Sequence, residues 1–150
     1  MSYLPNFNDH QIEIIASRWS DVLTAETARI EETGVKAAIL SIQHGELDER
    51  QTRQLHTLFQ RSLTPADRSR IAGDGSLTAL LTPVDGLGAL QHRLRRLHKA
   101  ARGHGLEIHI AFALRRPKES LLDTWARADA ELDRSRSPRM SSAVANLTAL

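Results

Sequence analysis

A Gly-Asp-Gly turn at residues 73–75 lies between two short segments, 68–71 and 77–81, and it constrains the fold more than any other feature of the chain. Glycine readily adopts the positive φ angles that a tight turn between antiparallel strands requires. The two segments are therefore predicted to form a β-hairpin. Pro83 follows the second segment and is predicted to end that strand.

Four further segments place apolar residues at the spacing of one helical face. They are residues 9–33, 48–62, 87–102 and 118–134. Gly34 follows the first of them and is a typical helix stop. Each of the four segments is predicted to be an amphipathic helix.

Two apolar segments are shorter, and we predict that both are strands. Residues 35–42 are bounded by Gly34 and Gly45, and their length favours a buried strand over a helix. From Leu106 to Phe112 the larger apolar side chains occupy every second position, which is the periodicity of a strand.

The predicted order is a helix, then β-α-β-β-α-β, then a last helix. The six central elements form the split βαβ, or ferredoxin-like, arrangement of an α/β (α+β) domain. We expect an N-terminal helical extension at 1–34, a core domain at 35–136 and a tail at 137–150. No repeat or linker separates these parts, so the sequence predicts one domain overall.

Composition excludes several classes of protein. The 150 residues contain no cysteine, which excludes disulfides, thiol catalysis and cysteine-ligated zinc. No apolar run approaches the roughly 20 residues of a membrane-spanning helix, and residues 1–8 do not resemble a signal peptide. We therefore expect a cytoplasmic protein without a membrane span. The net charge is only +2, so bulk charge does not predict a nucleic-acid partner.

Three blocks of the sequence resemble the GGDEF domains of diguanylate cyclases. Residues 69–81 resemble that family's hairpin, Arg-aromatic-Gly-Gly-Asp-Glu-Phe-x-x-Leu-Leu. Residues 106–113 resemble its strand Val-Thr-Val-Ser-Ile-Gly-Val-Ala, and residues 121–132 resemble its last helix, Leu-Leu followed by Ala-Asp-x-Ala-Leu. The blocks occur in the family's order and the resemblance covers about 35–136. It implies the same ferredoxin-like fold and a place in bacterial cyclic di-GMP or exopolysaccharide signalling.

The positions that the resemblance assigns to catalysis are changed in this chain. The family's first strand ends in Asp-x-Asp, and one of these carboxylates binds the two metal ions; this chain has Ser41 and Gln43 there. A further metal ligand of the family is the Glu or Asp at the fourth position of the Gly-Gly-Asp-Glu-Phe signature, where this chain has Gly75. Two-metal phosphoryl transfer needs anionic oxygens to hold Mg²⁺, and a hydroxyl, an amide and a hydrogen do not replace them. Asp74 remains, at the third signature position. We therefore expect a degenerate domain that is not an enzyme and uses no metal or other cofactor.

The hairpin leaves two interpretations open. It is either an ordinary tight turn or a phosphate cradle made by the backbone around Gly73 and Asp74. In the second case the chain would bind cyclic di-GMP or GTP, and the candidate side chains are Arg68, Arg70 and Arg136. The resemblance matches Arg136 with a lysine that faces phosphate in the family.

The first predicted helix offers a surface for another protein or for a homodimer. Its apolar residues recur at helical spacing: Ile12, Ile15, Trp19, Val22 and Leu23. Cyclases of the family often use a preceding helix to dimerise or to receive a signal. The same residues would equally serve to pack on the domain's own sheet, so both interpretations stay open.

The third predicted helix has a basic outer face that includes Arg93, Arg96 and Lys99. Such a face is commonly solvated, or it binds an acidic protein or nucleic acid. RNA-binding domains of this fold stack bases on aromatic residues of their central strands, and segments 36–42 and 76–81 contain none. The sequence therefore argues against RNA binding of that kind. It favours a regulatory or scaffolding module that binds protein, with nucleotide binding as the alternative.

Overall fold

The computed structural model describes residues 9–135, with side chains described from 18 to 134. The elements follow the predicted order: α1 (Asp9–Thr33), β1 (Ala38–His44), α2 (Glu49–Arg61), β2 (Arg68–Ile71), β3 (Leu77–Leu81), α3 (Leu87–Gly103), β4 (Ile108–Leu114) and α4 (Leu121–Ser135). The predicted tail, 137–150, lies outside the described residues. None of the described helices is long and apolar enough to cross a membrane.

The four strands form one antiparallel sheet in the order β2-β3-β1-β4. β1 is central: Ala38 pairs with Leu81 of β3 on one side and with Leu114 of β4 on the other. The hairpin places Arg70 of β2 opposite Thr78 of β3 at one edge of the sheet. This strand order confirms the predicted ferredoxin-like arrangement.

Alternate residues of β1 face different helical layers. Leu40 and Ile42 belong to the core under α2 and α3. Ile39 belongs to the core under α1 and α4. Ser41 has the same parity as Ile39, so it is directed at the α1/α4 layer. The domain is thus a sheet between two pairs of helices, with one polar position in the middle of its central strand.

The described part of α1 packs on the domain itself. Trp19 and Leu23 are 4% and 0% exposed in the core formed with α4, and Val22 packs against the same core. Of the two interpretations left open by the sequence, internal packing is the right one for these residues, because the second face of the sheet would otherwise meet water. Trp19 and Leu23 are therefore not free to form a seam with a partner. Ile12 and Ile15 lie on α1, but their side chains are outside the described residues.

β1 and α4 begin three residues later than the sequence predicted, at Ala38 and at residue 121. The connection before α4 is held in a non-helical form by Arg127. Its guanidinium donates to the Leu114 carbonyl oxygen at 2.5 Å and to Glu119 Oε1 at 2.7 Å. Within this connection Lys118 has a φ of 65°, which is incompatible with a helix.

A buried carboxylate ties the segment after α2 to α3. The Asp67 side chain is 1% exposed and pairs with Arg93 at 2.9 Å. It also accepts hydrogen bonds from the backbone N–H groups of Thr64 at 2.8 Å and Thr82 at 3.0 Å. Arg93 donates in addition to the Ser62 carbonyl oxygen at 2.7 Å. Arg93 is therefore engaged inside the domain, which corrects its assignment to the free basic face of this helix.

Candidate functional site

The hairpin, the end of β1 and α4 enclose a pocket of about 390 Å³. Its polar side chains come from all three elements and are Ser41, Gln43, Arg70, Asp74, Ser76, Thr78, Asp129 and Asp133. These elements meet because β1 and β3 are neighbours in the sheet and α4 covers the same face. The apolar core of that face ends at Ile39, and polar residues replace it towards the end of the strand.

Ser41 forms a hydrogen bond across the pocket to α4. Its Oγ donates to Asp129 Oδ1 at 2.8 Å, and Ser41 is 2% exposed. Although the residue Asp129 is exposed as a whole, loss of solvent around its carboxyl raises its pKa, and the nearby charge of Asp133 acts in the same direction. The hydrogen bond from Ser41 opposes this shift. The first-strand position that the resemblance assigns to a carboxylate is thus a hydroxyl that joins β1 to α4.

The hairpin turn is closed by its own polar groups. Asp74 Oδ1 accepts hydrogen bonds from the Ser76 backbone N–H at 3.0 Å and from Ser76 Oγ at 2.7 Å. The bond from the backbone N–H lowers the pKa of the Asp74 carboxyl. The Ala72 N–H donates to the Ser76 carbonyl oxygen at 2.8 Å, and the Gly75 N–H donates to the Ala72 carbonyl oxygen at 2.9 Å. These contacts are those of a tight turn with an aspartate at its tip.

Gly75 lies against His44 at the end of β1. It has a φ of 88°, and a Cβ added there would be 3.1 Å from His44 Nε2. A glutamate at this position would strain the backbone and displace the imidazole ring. The turn is therefore built for glycine at the fourth signature position.

Arg70 lies on an aromatic side chain of α4. Its guanidinium carbon is 5.3 Å from the centroid of the Trp125 ring, a distance typical of a cation–π contact. Trp125 makes a T-shaped contact with Trp19 of α1, with ring centroids 6.4 Å apart. The pocket thus has one wall formed by a cation stacked on an indole ring.

The charge of the pocket is unfavourable for an anion. Asp74, Asp129 and Asp133 line it together with Arg70. Asp74 and Asp129 already accept hydrogen bonds from the protein. Among the side chains described, from residue 18 to 134, no group of three or more histidine, aspartate or glutamate residues is arranged to hold a metal ion. The residues present therefore do not fit the two-metal centre that the resemblance would imply.

The structure brings together five of the residues singled out in the sequence. They line one pocket and are Ser41, Gln43, Arg70, Gly73 and Asp74. The sequence did not single out Trp125, Asp129 or Asp133, which complete it. Asp129 lies in the block that resembles the last helix of the family, and that block was the signal that could have identified it.

Other predicted residues lie elsewhere. Arg68 is exposed, and its Nε is 3.6 Å from Glu26 Oε1, outside the lining of the pocket. Arg96 and Lys99 are exposed on α3. Arg136 is outside the described residues.

No protein-family model matches the sequence, and no curated protein sequence matches it. Solved structures do match. The GGDEF domain of DgcB from Caulobacter crescentus, in complex with cyclic di-GMP, has a TM-score of 0.68 at 18% identity, covering 83% of this chain and 88% of the other. The active GGEEF domain of a diguanylate cyclase from Vibrio cholerae has a TM-score of 0.64 at 15% identity, covering 79% and 86%.

A third match is the diguanylate cyclase SiaD from Pseudomonas aeruginosa, solved in complex with its activator SiaC. It has a TM-score of 0.66 at 17% identity, covering 81% of this chain and 55% of SiaD. These neighbours agree with the resemblance found in the sequence. The chain has the fold of the GGDEF domains of diguanylate cyclases.

Proposed function

We propose that this chain is a GGDEF-fold module that makes no cyclic di-GMP itself and acts by binding another protein. Its setting would be the bacterial cytoplasm, in cyclic di-GMP or exopolysaccharide signalling. The observation that supports this most directly is the 2.8 Å hydrogen bond from Ser41 to Asp129. A cyclase would need an anionic oxygen at this position to bind a metal ion. This chain has the neutral Ser41 hydroxyl there, and its hydrogen bond to Asp129 holds α4 to the sheet.

The hairpin supports the same proposal. Gly75 has no side chain to offer a metal ion, and its φ of 88° together with the nearby His44 ring disfavours any replacement. Gln43 can supply only an amide. Hard divalent cations prefer carboxylate oxygens, so this pocket is poorly equipped to hold the two ions that phosphoryl transfer would need.

The solved neighbours are compatible with either a catalytic or a regulatory role. One is an active cyclase domain, and another was solved with a protein activator. The fold can therefore carry out catalysis and can also be recognised by a protein. The side chains of this pocket favour the second role for this chain.

A cyclase assay tests the proposal. The full chain is incubated with GTP and Mg²⁺ or Mn²⁺ beside a competent diguanylate cyclase, and we expect no cyclic di-GMP above the blank without protein. Product that disappears in the Asp74→Asn or Asp129→Asn variant would overturn the proposal. In a second arm the chain is expressed in a bacterium that carries a fluorescent cyclic di-GMP reporter. We expect the reporter signal to differ from that of the same bacterium without the chain, and an unchanged signal would count against a regulatory role.

One observation favours a second role, the binding of a nucleotide without catalysis. Arg70 stacked on Trp125 offers a cation beside an aromatic surface, which suits a phosphate and a purine. The three carboxylates of the pocket oppose it. Calorimetric titration with cyclic di-GMP and with GTP tests whether the chain binds a nucleotide. Micromolar binding that is lost in Arg70→Ala but kept in Arg68→Ala would support this role, and no heat at high micromolar concentration would exclude it.

A further inference from the structure

The two helical layers of the domain carry opposite charge. α2 has three arginines and one glutamate, and α3 has five basic residues and no acidic one, so this layer has a net charge of +7. Among the described side chains, α1 has four acidic residues and two arginines, and α4 has four acidic residues and two arginines, so the helices of the other layer have a net charge of −4. The small net charge of the whole chain, +2, conceals this separation.

Many of these charges are exposed and have no ion pair among the described residues. On the basic layer they are Arg50, Arg61, Arg96, Lys99 and Arg102. On the acidic layer they include Asp21, Glu32 and Asp123. Like charges on one surface repel each other. An oppositely charged surface placed against either layer would remove that repulsion.

The basic layer has a shaped surface. Two adjoining hollows share Leu58 and Arg61 of α2: one of about 300 Å³ lies between α2 and α3, and one of about 400 Å³ lies between α2 and His104, which follows α3. Arg96 lines the first hollow and Arg50 lines the second. The guanidinium group is planar and pairs with carboxylates through two parallel hydrogen bonds. The groove therefore suits a surface that presents aspartate and glutamate side chains.

We infer that the basic α2/α3 layer docks on the acidic α1/α4 layer of a second copy of this chain. An anionic polymer would match the basic layer alone, whereas a second copy matches both layers. The two layers lie on opposite faces of the sheet, so one copy contacts one neighbour through its basic layer and another through its acidic layer. The contact is therefore heterologous, and each assembly ends in one free basic layer and one free acidic layer. This inference rests on the protein-binding role proposed above and names its partner.

Sedimentation velocity on the full chain tests the inference. At about 50 mM NaCl the sedimentation coefficient should rise with protein concentration in the micromolar range. At about 500 mM NaCl the association should weaken by at least about ten-fold, because the Debye length falls from above 10 Å to about 4 Å. A monomer at every concentration in low salt would overturn the inference.

Charge-reversal variants identify the two surfaces. Arg96→Glu with Lys99→Glu removes the basic surface, and Glu32→Lys with Asp123→Lys removes the acidic one. Each double variant alone should be monomeric. An equimolar mixture should give a 1:1 complex that does not grow further, because each copy keeps only one competent layer. Lys36→Glu with Arg116→Glu changes the net charge as the first variant does, but on exposed loops outside the helices, and it should associate as the wild type does.

Two further outcomes would overturn the inference that copies of the chain associate through these layers. A mixture of the two variants that stays monomeric, with native circular dichroism for both, would overturn the inference. So would a monomeric wild type that binds a fluorescent DNA duplex through Arg96, since the basic layer would then recognise a polyanion. Neither result bears on the cyclase assay or on the cyclic di-GMP reporter, so failure of this inference is distinguishable from failure of the proposed function.

Discussion

The imidazole ring of His44 lies between two backbone carbonyl oxygens and joins the hairpin to the end of β1. Its Nε2 is 3.0 Å from the Gly75 oxygen, and its Nδ1 is 2.7 Å from the Gly45 oxygen. The ring thereby packs against the hairpin residue whose φ is 88°. The conformation of the turn at the fourth signature position is thus coupled to a side chain of the central strand.

Gly75→Ala should destabilise the domain by about 1–2 kcal/mol, because an L-residue with positive φ brings its Cβ too close to the backbone. The added Cβ also meets His44 Nε2 at 3.1 Å. Urea unfolding monitored by circular dichroism measures the change. Gly88→Ala in the first turn of α3 is the matched control: nothing lies within 4 Å of its Cβ position, and it should change stability by no more than about 0.5 kcal/mol. Equal effects of the two substitutions would contradict the account of Gly75.

Ser41→Ala should cost about 1 kcal/mol of unfolding free energy, because it removes the donor to Asp129. Asp129→Asn should cost less, since the amide still accepts from Ser41 and no longer faces the charge of Asp133. The sign of the pH dependence follows from the raised pKa of Asp129. A carboxyl whose pKa is raised in the folded state stabilises it most while protonated and loses that contribution as pH rises through the folded-state value.

The wild type should therefore lose stability relative to Asp129→Asn as the pH rises from about 3 towards neutrality. Unfolding free energies of the two proteins at several pH values give this difference. A difference that does not change with pH would show that burial of the Asp129 carboxyl has no energetic effect.

The order of elements was predictable because each has a strong local signal. The Gly-Asp-Gly turn, the alternation from Leu106 to Phe112 and the four helical faces depend on neighbouring residues only. The pocket was predictable in part, since Asp74 lies in a block that resembles a known family and Ser41 lies at the first-strand position that the resemblance assigns to a carboxylate. The wall of the pocket that α4 forms was not predictable, because the contact between Ser41 and Asp129 joins residues 88 positions apart.

The choice between an interface and a core for α1 also lay beyond local signals. Trp19 and Leu23 have the same spacing in either case, and only their tertiary contacts show that they are buried. Arg93 presents a similar case. Arg96 and Lys99 of the same helix are exposed, yet Arg93 is paired with Asp67, which comes from the segment before the hairpin.

Arg93 and Arg96 should differ sharply although both are arginines of α3. Arg93→Ala leaves Asp67 buried without its cation, and it should cost about 2–3 kcal/mol. Arg96→Ala alters an exposed side chain and should change stability by no more than about 0.5 kcal/mol. Thermal and urea unfolding of the two variants give the comparison. If both are neutral, Asp67 is stabilised by the Thr64 and Thr82 backbone groups alone.

Glu119 and Arg127 should make the domain sensitive to acid. Arg127 donates from Nε to Glu119 Oε2 at 2.8 Å and from Nη2 to Oε1 at 2.7 Å, and these bonds lower the pKa of Glu119 to about 2. A carboxyl with a depressed folded-state pKa contributes stability that is complete above its unfolded value of 4.5 and is lost as pH falls towards 2. Since Arg127 also fixes the Leu114 carbonyl oxygen, the pair sets where α4 begins.

Glu119→Gln should therefore cost about 1–3 kcal/mol at neutral pH, and the difference from the wild type should shrink steadily between pH 4.5 and 2. Arg127→Lys should lose much of the same stability, because a lysine cannot form both parallel hydrogen bonds. Glu49→Gln is the control, since its pair with Arg53 is largely exposed and should contribute at most about 0.5 kcal/mol. Unfolding curves for all four proteins across this pH range measure the effect. If Glu119→Gln differed from the wild type equally at pH 7 and pH 2, the contribution would come from packing and not from the charge of Glu119.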